Sequence, residues 1–68
     1  MRFETKNKPL DNQAVLTLIR SLGLESKLDF DNSICVENNE VKYINFSVNL
    51  TNPEKVALIS QFSNLEEK

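Results

Sequence analysis

Residues 42–50 alternate between apolar and polar side chains, and this alternation constrains the fold more than any other feature of the chain. The apolar members are Ile44, Phe46, Val48 and Leu50. A repeat of two places these side chains on one face of an extended strand, which predicts a strand buried on one face and polar on the other. A sheet with one apolar face needs a second layer to cover it, and the flanking segments must supply that layer.

The segment before this strand has the spacing of an amphipathic helix. Asp11 is a suitable N-cap residue, and Gly23 stands where helices commonly end. These two signals predict a helix over residues 12–22. Its apolar stripe, at intervals of three and four residues, consists of Ala14, Val15, Leu18, Ile19 and Leu22.

A second helix is predicted after the strand. Asn52 can cap it, Pro53 suits its first turn, and Glu54 complements the positive end of the helix dipole. Its buried stripe is expected to consist of Val56, Ile59 and Phe62, with Leu58 and Leu65 off to one side. The last residues, Glu66–Lys68, are expected to fray.

A hairpin is predicted between the two helices, with a turn at Glu37-Asn38-Asn39-Glu40, because asparagine tolerates left-handed backbone conformations. A two-residue turn at Asn38-Asn39 would direct the apolar faces of the two strands away from each other. A slip of one residue moves every side chain to the other face, so we predict a three-residue loop centred on Asn39, or an equivalent bulge. The resulting pairs are Ile34 with Ile44, Phe30 with Val48 and Leu28 with Leu50.

These elements predict a single α+β domain over residues 1–68. A short strand over Arg2–Thr5, at the edge of the sheet, precedes the first helix. The order is β-α-β-β-α, which gives a three-stranded antiparallel sheet with two helices packed on one face. A chain of 68 residues buries only a small core. Formation of a homodimer would bury further apolar area.

The charge distribution argues against nucleic acid as a partner. Eight Lys and Arg against ten Asp and Glu give a net charge of −2. Binding through phosphates needs a clustered basic surface, and the largest basic group in the sequence is Arg2, Lys6 and Lys8 around Glu4. Residues 25–40 hold five acids and one lysine. This acidic segment is either a docking surface for a basic partner or a solvated surface.

The residue types argue against catalysis. The chain has no histidine, the commonest general base near neutral pH, and its single cysteine, Cys35, therefore has no imidazole to activate it. With Gly23 as the one glycine, a glycine-rich phosphate loop cannot form. We therefore predict that the chain is not an enzyme.

Residues 29–40 resemble an EF-hand calcium loop, with Asp29 at position 1 and Glu40 at position 12. Position 6 is Ile34, although the sharp turn of that loop requires glycine. Alternation explains the same spacing, because acids at every second residue form the outer face of a strand. We expect no metal site and no cofactor.

The remaining hypothesis is a non-enzymatic, acidic protein-binding module that acts as an inhibitor or adaptor of a larger protein, as an anti-host factor of a phage or mobile element would. If both helices pack on the apolar face of the sheet, Val41 and Tyr43 point outward, and tyrosine is enriched at binding hot spots. The candidate partner-binding residues are Asp29, Asp31, Glu37, Glu40, Val41 and Tyr43. The alternative is a homo-oligomeric structural or assembly protein that uses its open face or an edge strand. No export signal or membrane-length apolar run is visible, so a cytoplasmic location is expected.

Overall fold

The structure, a computed structural model, describes residues 1–29 and 31–68. Within these residues the chain forms five strands and two α-helices. In chain order they are β1 (Arg2–Thr5), β2 (Leu10–Asp11), α1 (Asn12–Ser21), β3 (Ile34–Glu37), β4 (Glu40–Asn45), α2 (Asn52–Gln61) and β5 (Leu65–Glu67). A short 3₁₀ turn, Glu25–Lys27, follows α1. No helix in this part of the chain is long and apolar enough to cross a membrane.

The sheet is antiparallel, and its centre is formed by β4 and β1. β3 pairs with one edge of β4, while β1 and β2 lie one after the other along its opposite edge. β5 pairs with the free edge of β1. The α+β class is confirmed, but the prediction of three strands is wrong because β2 and β5 add to the sheet. β1 lies inside the sheet rather than at its edge.

α1 begins and ends where the sequence indicates. The Asp11 carboxylate accepts a hydrogen bond from the Ala14 N–H at 3.0 Å, which caps the first turn. Gly23 follows the helix with φ of +71°, a left-handed conformation that carries no penalty in glycine. Val15 and Ile19 from this helix are fully buried.

α2 is rotated relative to the prediction. Leu58 is fully buried, whereas Val56 is 63% exposed and Ile59 is 39% exposed. In this orientation, two residues on the inner side of α2 form ion pairs. Glu54 pairs with Lys27 at 2.8 Å, and Lys55 pairs with Glu67 at 3.3 Å.

The second helix is also shorter at its C-terminal end than the apolar stripe suggested. Leu65 is buried, but it belongs to β5 and not to the helix. The expected fraying of residues 66–68 is wrong, because Glu66 and Glu67 pair with β1 and the Lys68 N–H donates to the Arg2 carbonyl at 2.8 Å.

The β3–β4 hairpin combines a tight turn with a bulge. Asn38 and Asn39 have φ of 56° and 64°, so they form a two-residue turn of left-handed residues. The register shifts between Cys35 and Val36, which restores the predicted pairing of Ile34 with Ile44. Leu28 lies opposite Phe46. The prediction that Leu28 pairs with Leu50 is therefore wrong. The predicted pairing of Phe30 with Val48 lies outside the described residues.

One core joins the sheet to both helices. Phe3 packs edge-on against Phe46, with ring centroids 5.9 Å apart. The buried residues are Phe3, Val15, Ile19, Leu24, Val41, Ile44, Phe46, Leu50, Leu58 and Leu65. These side chains cover one face of the sheet, and the residues on the opposite face, such as Glu4 and Tyr43, are half-buried.

Candidate binding surface

The face of the sheet opposite the core, called the outer face below, is defined by a row of directly paired residues. From β3 to β5 this row contains Cys35, Tyr43, Glu4 and Glu66. Paired residues on neighbouring strands project to the same side. None of the four is fully buried.

The acidic residues predicted to form a docking surface fall into two groups. Asp29 and Asp31 precede β3, whereas Glu37 and Glu40 face each other at the tip of the hairpin. Glu37 ends β3, so three residues of this strand, 34–36, lie between the groups, which corresponds to about 10 Å of extended chain. The acidic segment therefore follows one margin of the molecule and does not form a compact patch.

Local interactions already engage two of these carboxylates. Asp29 accepts hydrogen bonds from the N–H groups of Asp31 and Asn32, at 2.9 and 3.1 Å. Glu37 forms an ion pair with Lys42 at 2.9 Å. The hydrogen bond and negative charge of Glu37 raise the pKa of Lys42 above its ordinary value. Asp31 and Glu40 are exposed.

Val41 was predicted to face outward, and this is wrong because its side chain is fully buried. The bulge in the hairpin explains the difference. Val41 and Ile44, three residues apart, both point into the core, and the residues between them, Lys42 and Tyr43, line the same surface groove. A regular strand would place those two on opposite faces, so the bulge changes which side chains the outer side presents.

Tyr43 occupies the centre of the outer face and is held from two directions. Its hydroxyl donates to the Asn32 side-chain carbonyl at 3.1 Å. The guanidinium carbon of Arg2 lies 4.0 Å from the ring centroid, a cation–π contact. Arg2 Nε also contacts Glu4 Oε2 at 2.8 Å, so Arg2 is fixed as well.

A surface groove, not predicted from the sequence, lies beside Tyr43. We call it the β1–β2 groove because the loop between those strands forms one wall. Its volume is about 340 Å³. Four of its lining residues are cationic and one is acidic; the lining consists of Arg2, Glu4, Thr5, Lys6, Asn7, Lys8, Pro9, Lys42 and Tyr43.

The loop that forms this wall is attached to the rest of the molecule. The Lys6 N–H donates to the Asn64 carbonyl at 2.8 Å, and the Asn64 side-chain amide donates to the Lys8 carbonyl. The Thr5 hydroxyl donates to the Lys42 carbonyl at 3.2 Å. The sequence shows the Arg2, Lys6 and Lys8 group, but Lys42 joins it only because β1 and β2 share one edge of β4.

Across residues 1–29 and 31–68, no three His, Cys, Asp or Glu side chains are grouped so that they could hold a metal ion. The calcium-loop resemblance at residues 29–40 does not persist as a loop, because Ile34–Glu37 is strand β3. Cys35 is a half-buried free thiol beside Tyr43.

Comparison of this chain with protein-family models, with curated proteins and with solved structures finds no match in any of the three.

Proposed function

We propose that this chain is a non-enzymatic protein-binding module, located in the cytoplasm, that acts as an inhibitor or adaptor of a larger protein. The outer face of the sheet centred on Tyr43 carries this proposal. Tyr43 is half-buried, with Arg2 over its ring and Asn32 hydrogen-bonded to its hydroxyl. An anchor that is already ordered loses little side-chain entropy when a partner covers it, and aromatic residues dominate the energetics of many interfaces.

Charge supports a partner with a basic surface on the hairpin side of Tyr43. Asp31 and Glu40 are exposed at the two ends of this margin, and neither forms an ion pair within the described residues. Charges at the rim of an interface chiefly accelerate association and select the partner. We expect these two acids to set the salt dependence of binding, while Tyr43 contributes more to its strength.

The alternative, a homo-oligomeric assembly protein, is favoured by one observation. Within the described part of the chain, β3 pairs only with β4, so its other edge is open to a further strand. Val36 on this strand is 44% exposed. A second copy of the chain could extend the sheet there, because unpaired edge groups are a template for strand addition.

A comparative capture experiment tests the proposal. Tagged wild-type chain, Tyr43→Ala and Val56→Ala are used as baits in a nuclease-treated native lysate, and captured proteins are identified by mass spectrometry. Val56→Ala is the matched control, because it removes an exposed apolar side chain from α2. We expect one stoichiometric protein with wild type and Val56→Ala that is lost with Tyr43→Ala.

Two outcomes would contradict the proposal. Equal capture by all three baits would exclude Tyr43 as the anchor, provided that circular dichroism shows Tyr43→Ala to be folded. Recovery of bait alone, together with a particle mass by light scattering that rises with concentration, would favour the assembly protein. The double variant Asp31→Lys/Glu40→Lys tests the charge argument, and it should reduce capture most at low salt.

A further inference from the structure

The β1–β2 groove concentrates positive charge on a chain whose net charge is −2. Arg2, Lys6, Lys8 and Lys42 line it against the single carboxylate of Glu4. We propose that this groove binds a compact polyanion, a small molecule with two or more negative charges carried by phosphate or carboxylate groups. This inference does not depend on the protein-binding function proposed above.

The cations of the groove differ in how far other groups already neutralise them. Arg2 contacts Glu4, and Lys42 contacts Glu37. Lys6 and Lys8 form no ion pair within residues 1–29 and 31–68. Two ammonium groups on one loop are therefore available to an anion, and ionised donors give the stronger hydrogen bonds to phosphate and carboxylate oxygens.

The groove is formed before any ligand arrives. Asn64 receives a hydrogen bond from the backbone at Lys6 and donates one at Lys8, so both ends of the lysine pair are attached to the turn before β5. Pro9 restricts the backbone where the loop re-enters the sheet. Because the loop is already ordered, binding an anion there costs less conformational entropy than ordering a free segment would.

The surroundings of the groove favour a small anion over a nucleic acid strand. Arg2 lies over the ring of Tyr43 and occupies a face on which a base would stack. Two further carboxylates flank the cations. Glu37 forms an ion pair with Lys42, and Glu66 lies opposite Glu4 in the sheet. These carboxylates would repel phosphates that extend beyond the groove. A volume of about 340 Å³ suits a molecule of nucleotide size or smaller.

The test is a titration of isotope-labelled protein monitored through backbone amide chemical shifts. The probes are pyrophosphate, citrate and a short single-stranded DNA. The variant Lys6→Gln/Lys8→Gln removes two charges from the groove, and the control Arg20→Gln/Lys55→Gln removes two charges from the helices. We expect saturable shifts at residues 2–9 and 42–43, a dissociation constant raised roughly tenfold or more by the groove variant, and no comparable change in the control.

The two small probes distinguish the sources of the anion. Tighter binding of pyrophosphate supports a phosphorylated ligand, and tighter binding of citrate supports a polycarboxylate. The proposal is overturned if neither probe gives saturable shifts in the groove, or if both variants weaken binding equally, since only general charge would then matter. Binding of the DNA more tightly than pyrophosphate at the same salt would also overturn it.

Discussion

Glu54 shows how one side chain can stabilise both a helix end and a tertiary contact. One oxygen accepts the Thr51 N–H at 2.8 Å, which closes a capping box at the start of α2. Lys27 Nζ donates to the same carboxylate at 2.8 and 3.0 Å. The hydrogen bond from Lys27, with that from the Thr51 backbone, lowers the pKa of Glu54 below its ordinary value of 4.5.

This lowered pKa predicts a pH dependence of stability. A carboxyl group whose pKa is lower in the folded state stabilises the fold above its unfolded pKa, and this contribution is lost as the pH falls through the folded value. Glu54→Gln should therefore be less stable than wild type near pH 7. The difference in stability between the two proteins should narrow as the pH falls below 4.5, the ordinary pKa of a glutamate side chain.

The measurement is the urea midpoint of both proteins at about pH 7 and about pH 3. Carboxyl groups elsewhere, including Glu66, are common to the two proteins and cancel in the comparison. An equal difference between the midpoints at both pH values would show that the ionised carboxylate of Glu54 contributes nothing.

At the scale of the element, α2 predicts contrasting effects for two neighbouring apolar residues. Leu58 is fully buried and Val56 is 63% exposed. Leu58→Ala should lower the free energy of unfolding by about 2–5 kcal/mol, because it leaves a cavity in the core. Val56→Ala should change it by less than about 0.5 kcal/mol. Urea denaturation measures both, and similar losses for the two variants would contradict the orientation of this helix.

The helices differ in how far the sequence predicted them. For α1, the Asp11 cap, Gly23 and the centre of the apolar stripe agree with the structure, although Ala14 and Leu22 of that stripe are exposed. For α2, the inner side is shared between Leu58 and the ion-paired Glu54 and Lys55. Hydrophobicity alone therefore selected the wrong face. β5 was not predicted, because it is short and mostly charged and therefore has no strand-like sequence pattern. Its pairing with β1 joins distant parts of the chain, which a local pattern does not indicate.

The candidate site was predicted less well than the fold, for a related reason. Tyr43 was expected on the outer face because residues 42–50 alternate. Val41 was misplaced because the opposed apolar faces indicate a bulge but not its position. The extra residue lies in β4 between Val41 and Tyr43, where it shifts the phase of the strand. The β1–β2 groove depends on Lys42 meeting a loop near the start of the chain, and periodicity within one segment cannot indicate that meeting.

At the scale of the whole molecule, the chain is as compact as a folded chain of its length is expected to be. Its Cα radius of gyration is 10.6 Å, close to the value of about 11 Å expected for a compact chain of this length. Under the proposed function we expect a monomer, so the thermal midpoint should not change over about a hundredfold range of protein concentration. Calorimetry measures this, and a midpoint that rises with concentration would support the assembly alternative.

The position of β1 between β4 and β5 has a consequence for synthesis. β1 leaves the ribosome before either of its neighbours, and its second edge is paired only once Leu65–Glu67 are free. Until then a nascent chain carries a strand with unpaired edge groups, which can pair incorrectly with other chains. Completion of the sheet must therefore follow translation of β5, and a chain truncated before Leu65 would leave that edge of β1 open.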